Sequence, residues 1–275
     1  MLDYSRRRDL VKIVACIKYS LDASEVKVDP ASKALKLAGV PHKVGVIDKH
    51  VLEMAVSLKE ANGGTVHALT VGPANAKESF REALAMGLED VILIENPIEG
   101  QVAPDVTAVI LAEAIKKIGD VDLIVCGEVS DDGFTYQVPP RLAEALNLPQ
   151  VSFARTAAIK DGQLVADRDL EDSVQTVAAP LPAVLSVMEE CNNPRRPTLM
   201  EAMKAKKKPV HIWNVTDDLG LDVAELQQKV ALETVASEGV VVHRKQQMLK
   251  GDDLNALSEE LVNLLLADHI IEGGA

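Results

Sequence analysis

Residues 127–138 read Gly-Glu-Val-Ser-Asp-Asp-Gly-Phe-Thr-Tyr-Gln-Val, and these residue types suit holding a nucleotide more than making or breaking a bond. Ser130, Asp131 and Asp132 supply acceptors for ribose hydroxyls or an adenine amino group. Gly133 lets the backbone approach a ligand closely, and Gln137 offers a two-sided amide. Before the loop, Leu123, Ile124, Val125 and Cys126 have the continuous apolarity of a parallel strand covered on both faces, which Gly127 ends. After it, Leu142, Ala143, Leu146 and Leu148 recur at helical spacing. That spacing predicts a helix starting near Thr135 or Tyr136 with Thr135 as N-cap, its first turn aiming free N–H groups and the positive dipole end at an anion above the sheet. The same residues also suit an ordinary strand-to-helix loop with a polar cap.

No rival chemistry competes well. A Gly-x-Gly-x-x-Gly fingerprint and a P-loop are both absent. His50 and Glu53, one helical turn apart, read as a solvated pair rather than half of a metal site. Cys126 reads as an inert core residue, and Trp213 and the Leu254 to Leu265 stripe read as packing. The formal net charge of -13 excludes nucleic acid and anionic membrane as main partners. Arg195, Arg196, Lys204, Lys206, Lys207 and Lys208 form a local basic exception. Cys16, Cys126 and Cys191 are widely separated, which implies reduced thiols in a reducing compartment. The opening segment is charged and the next apolar run is cut by Lys18, so neither a signal peptide nor a membrane span is expected, and the location expected is cytoplasmic.

Stepping outward, the elements that must position this loop alternate. Leu10 to Ile17 reads as a strand whose end, Lys18-Tyr19-Ser20, would form one wall of a pocket at the carboxyl edge of a sheet. Residues 21–44 read as a polar excursion with a short hairpin. Asp48 precedes a helix carrying Val51, Leu52, Ala55, Val56 and Leu58, closed by Gly63-Gly64, and could cap it or face the ligand. Thr65 to Val71 and Val91 to Ile94 read as strands, with helices carrying Phe80, Ala83, Leu84 and Met86, and then Val106, Ile110, Leu111, Ala114 and Ile115. The fold class implied is α/β: an open, mostly parallel, Rossmann-like adenine-nucleotide-binding sheet with helices on both faces. Val151 to Ile159, Gln163 to Asp169, Val174 to Ala178 and Ala183 to Val187 read as antiparallel edge strands added without helices. The α/β domain is expected to span 1–190. Residues 191–275 then form a C-terminal arm, stiffened by Pro194 and Pro197, with a helix from about Val223, a short strand over Val240 to His243, and a last helix that packs on a partner subunit.

With these residues in view, the chain resembles the beta subunits of electron transfer flavoproteins, including the Fix-type branch, to about residue 220. The likeness is carried by Val14 to Lys18, Asp48 with Glu53 to Ala55, Ala83 to Gly87, Gln175 to Val177 with Pro182 to Ser186, Asn193 to Arg195, and Met203 to Lys208. Gly45 stands where that family usually has asparagine, and Arg168 to Asp172 fits its acidic signature only in part. The resemblance implies that Cys16, Asp48, Val71, Gly127, Asp132, Gly133, Thr135, Gln137 and Val138 line a nucleotide, joined by Ser130 from the loop reading. That nucleotide is a structural AMP or, in electron-bifurcating members, a second FAD. The loop from Asp132 to Val138 is closer to the bifurcating pattern, so FAD is the expected cofactor, reduced by NADH. The resemblance also implies an alpha subunit, and a docking element at Arg195, Leu199 and Met203 for a partner dehydrogenase or quinone oxidoreductase; a local brace is the other reading of that arm. A universal-stress-type nucleotide-binding module is the competing class.

Overall fold

The computed structural model describes residues 10–96, 102–230, 234–241 and 245–271. The charged opening segment and residues 242 and 243 of the short strand expected near Val240 lie outside them; Val240 and Val241 are not in a strand. The described chain forms two compact units. The larger runs from β1 (Val11–Cys16) through β2 (Tyr19–Leu21) and β5 (His42–Val44) to α1 (Val46–Asn62), and the division between the units falls within β3 (Lys27–Val28) and β4 (Leu35–Lys36). Next come β6 (Gly64–Gly72), α2 (Arg81–Ala85), β7 (Asp90–Glu95), α3 (Pro104–Ile118), β8 (Leu123–Gly127) and α4 (Val138–Leu146). It closes with β9 (Gln150–Lys160), β10 (Gln163–Asp169), β11 (Val174–Pro180), β12 (Ala183–Val187), α5 (Leu199–Ala205), β13 (Val210–Trp213) and α6 (Val223–Gln228).

The sheet has nine strands in the order β11-β10-β9-β12-β8-β1-β6-β7-β13. Side chains alternate across it, so two cores form. Ile13, Ala15, Leu123 and Val125 meet α1 and α2 on one face, while Val14, Cys16, Ile124 and Cys126 meet α3 and α4 on the other. At about 25 cal/mol per Å² of apolar surface removed from water, such two-sided burial is the main force holding the strands together. Leu142, with no exposed surface, anchors α4 on the second core. The order reverses at β1, whose neighbours β6 and β8 lie on either side. Open α/β sheets bind ligands at the carboxyl ends of the strands flanking such a reversal.

Three strands, β9, β12 and β13, differ from the sequence reading. β12 is not an antiparallel edge strand: it pairs in parallel with β8 and with β9, inside the sheet. All five of its residues are buried, as an interior parallel strand requires. Only β10 and β11 are antiparallel additions. At the other edge, β13 pairs in parallel with β7, so the sheet takes one strand from the segment read as a separate tail.

The smaller unit contains Val28–Leu35 and the described residues from Glu238 on. Gly239 donates its N–H to the Lys33 carbonyl, and a Cβ there would sit 2.3 Å from Val28 Cγ2, so the backbone passes too close for any side chain. Its helix α7 (Leu254–Ala267) is capped by Asp253 and buries none of its residues, leaving Leu254 and Val262 exposed. No described helix is long and apolar enough to cross a membrane.

Candidate functional site

The ends of β1 and β8 and the start of α1 converge. Gly127 lets the chain pass beneath α1: a Cβ there would stand 2.7 Å from Ile47 Cγ2. Asp131 then reaches α1, its Oδ2 accepting from the Val46 N–H at 2.6 Å. Gly45, the N-cap, has no side chain to do this. A Cβ on Gly45 would meet Asp48 Oδ2 at 2.3 Å and Asp131 Oδ2 at 3.2 Å, so glycine here makes room for the two carboxylates. Sequence reasoning gave Asp131 to the ligand; the helix terminus holds it instead.

Asp48, in the first turn of α1, is 4% exposed. Its Oδ1 accepts from the Lys18 N–H at 3.1 Å, and its Oδ2 is buried with no partner. Burial, with the Asp131 and Asp132 charges added to it, pushes the Asp48 carboxyl up to about 8, so at neutral pH it carries a proton that it can donate. An unmatched buried oxygen of this kind costs about 1–3 kcal/mol unless a ligand meets it. Lys18 Nζ pairs with Asp132 Oδ1 at 2.7 Å, which fixes that side of the loop.

The loop itself corrects the sequence reading. α4 begins at Val138 with Gln137 as N-cap, and Thr135 lies outside the helix, exposed and capping nothing. Phe134 at φ 46° and Tyr136 at φ 57° are left-handed, which no helix accepts, and Pro139 and Pro140 fill the second and third helical positions. Those prolines remove two of the donors a helix N-terminus would offer. The loop restores them. Gly133 and Phe134 donate to the Ser130 carbonyl, but the backbone N–H groups of Thr135, Tyr136, Gln137 and Val138 find no acceptor among the described residues. A left-handed residue followed by a right-handed one turns successive N–H groups to one side, an anion-binding nest.

The remaining predicted residues have plainer places. A Cβ on Gly133 would press on Ser130 Oγ at 2.9 Å, so a side chain there would displace that hydroxyl. Gln137 Oε1 accepts from Arg141 Nε at 3.1 Å. Val138 and Val71 pack against the second core. Cys16 lies beside Cys126 in register, and their hydrogen bond together with burial holds the Cys16 thiol well above its ordinary value, so it is inert wall.

The arm also differs. His50 and Glu53 are not solvated; both are buried on α1 and grip the arm. His50 Nδ1 lies 3.2 Å from Asn192 Oδ1, and Asn192 Nδ2 donates to the His50 carbonyl. Arg195 donates from Nε and Nη2 to Glu53 at 2.8 and 3.0 Å, and from Nη1 and Nη2 to Glu60 at 2.6 and 2.9 Å. The guanidinium read as a docking group is therefore committed to its own domain. Leu199, Met200 and Met203 remain exposed on α5, which starts with a Thr198–Glu201 capping box. Lys208 is likewise withdrawn from the basic cluster: Nζ donates to the Leu84 and Leu88 carbonyls, and burial lowers its affinity for a proton.

Comparison with known proteins bears on this arrangement. Residues 34–218 match the family described as Electron transfer flavoprotein domain. The electron transfer flavoprotein subunit beta of Thermoanaerobacterium thermosaccharolyticum is 34% identical, covering 95% of this chain and 100% of that protein. The caffeyl-CoA reductase-Etf complex subunit CarD of Acetobacterium woodii is 32% identical with the same coverage. The subunit beta from Megasphaera elsdenii is 30% identical, again over 95% and 100%.

Proposed function

The chain belongs to the electron transfer flavoprotein family, and from that premise we propose that it is a beta subunit holding FAD between Asp48 and the 135–138 loop. The observation that carries this is two sets of donors without acceptors, the buried protonated Asp48 carboxyl on α1 and four N–H groups on the loop, which the acceptor-rich oxygens and ring nitrogens of a nucleotide suit. The donors suit phosphate oxygens, and four exceed what a single phosphate needs. Asp48 and the Lys18–Asp132 pair suit the nucleoside end. Similarity to a subunit of a caffeyl-CoA reductase-Etf complex supports a partner reductase at the other end of the electron path.

Bound FAD supplies hydride acceptance and one-electron transfer, with NADH as the donor in this reading. The residues of this chain bind and orient. The nest fixes the phosphates, Asp48 holds its proton toward the ligand, and β1 and β8 form a dry floor beneath. The exposed face of α7 fits an alpha subunit, and the paired buried thiols of β1 and β8 suit the cytoplasm. Extraction of the purified alpha–beta complex tests the reading. Two FAD per pair, with bleaching by NADH, supports it; one FAD with one AMP overturns it.

The arm, held by Arg195, offers Leu199 at 79% exposure to a partner dehydrogenase or quinone oxidoreductase. Leu199→Ala is expected to slow electron delivery to that partner at least about tenfold while leaving flavin content alone. Unchanged transfer would make α5 a brace.

A further inference from the structure

Asp131 belongs to neither of the donor sets assigned to the nucleotide, yet it joins the two elements that carry them. It lies on the loop ahead of the 135–138 nest, and its Oδ2 accepts the Val46 N–H of α1, 85 residues away in the chain, at 2.6 Å. A helix ordinarily takes this cap from the side chain of its own N-cap residue. Gly45 has no side chain to give, so the cap is supplied from the loop. Loop and helix are thereby tied at the first turn of α1, the turn that presents Asp48.

The two carboxyls compete for one place. Their Oδ2 atoms share the small volume that a Gly45 side chain would otherwise fill. Asp131 is answered there by a helix N-terminus, whose dipole favours a negative charge. The Oδ2 of Asp48 is buried and answered by nothing in the chain. Two negative charges so close repel, so the stable division puts the charge on Asp131 and the proton on Asp48. The other charged and titratable groups facing Asp48 are Cys16 and Lys18 from the end of β1 and Asp132 from the loop. Cys16 is held neutral, and Asp132 pairs with the Lys18 ammonium at 2.7 Å. Burial is the largest influence on the Asp48 carboxyl, and among the charges around it Asp131 acts most strongly.

We infer that Asp131 is a positioning residue of the nucleotide site: it latches the ligand loop onto α1 and keeps Asp48 the donor that faces the ligand. It acts through Asp48 and the loop backbone and touches no ligand atom itself. This rests on the nucleotide reading of the cleft.

Calorimetric titration of the purified full-length chain with FAD and with AMP, from pH 6 to 9.5, tests it. Each variant is compared with the parent at the same pH, so that titration of the ligand cancels. Asp131→Asn keeps an acceptor for the Val46 N–H and removes the charge. Its affinity at pH 6 is expected to stay within about twofold of the parent, which also shows that it folds. The midpoint of its alkaline decline should move down by about one pH unit, because Asp48 then gives up its proton sooner. Asp131→Ala removes the cap as well, and should combine the same displaced midpoint with an affinity already about fivefold lower at pH 6. In an Asp48→Asn background no proton is left to lose, and Asp131→Asn should leave the profile level. Loss in parallel at every pH, with the midpoint where the parent has it, makes Asp131 a structural cap alone and overturns the inference. Unchanged profiles in both variants, or a parent whose affinity does not vary with pH, overturn it too while leaving the nucleotide site standing. A parent that binds neither nucleotide removes the nucleotide reading and the inference together.

Discussion

Asp48→Asn is expected to stabilise the ligand-free chain at pH 7 to 8 and to abolish a decline in stability that the parent shows as pH rises. The unfolded carboxyl titrates near pH 3.9, whereas burial moves the folded one to about 8. Between these values the folded state keeps a proton that the unfolded chain has released. The stabilisation is therefore complete below about pH 4 and is lost as pH rises through 8, approaching 1.4 kcal/mol per pH unit. Asparagine holds a neutral donor at every pH and has no proton to lose. Urea unfolding from pH 5 to 9 reads the difference, and parallel curves for parent and variant would sink the assignment. Nucleotide affinity should fall above pH 8 in the parent and stay level in the variant, because the donor facing the ligand is then permanent.

Arg195→Ala should be the most damaging change in the arm, lowering unfolding free energy by about 2 kcal/mol. Its guanidinium is partly exposed and Glu60 about half exposed, so most of the loss comes from Glu53, left buried with its charge unmatched. Burial alone would raise the Glu53 carboxyl, but the Arg195 hydrogen bonds outweigh it and hold the group below its ordinary value. A depressed carboxyl contributes stability above the unfolded value of about 4.3 and loses it as pH falls further. The gap between parent and variant should accordingly close in acid. Arg195→Lys should rescue little, because a single ammonium cannot serve two carboxylates with a planar fork. A variant as stable as the parent at pH 7, with no faster tryptic cleavage after Lys204, would show that the arm is not held there.

The sequence carried the alternation of strand and helix because buried parallel strands announce themselves as unbroken apolar runs. That argument also applied to Ala183 to Val187, which is apolar but for Ser186; its neighbours' alternation drew it wrongly to the edge. The loop was legible in composition and not in conformation. Pro139 and Pro140 were visible, but the left-handed turns at Phe134 and Tyr136 belong to residues that ordinarily avoid them, and only tertiary packing imposes such a choice. Asp131, and not the candidate cap Asp48, serves the start of α1 for a similar reason: two carboxylates near one helix terminus look alike until it is known which carboxylate reaches the orphan N–H. Arg195 and Glu53 are 142 residues apart. Nothing local pairs them.

Asp48 and Glu60 stand on the same helix, twelve residues apart, and an α-helix advances 1.5 Å per residue. The proposed nucleotide site at Asp48 and the Glu60 end of the Arg195 clamp are thus separated by about 18 Å of hydrogen-bonded rod. A loop of that length would let the span vary with every thermal fluctuation. On the proposed function the rod is a gauge: an electron acceptor docked at Leu199 would be referenced to the cofactor through a spacer whose length does not drift.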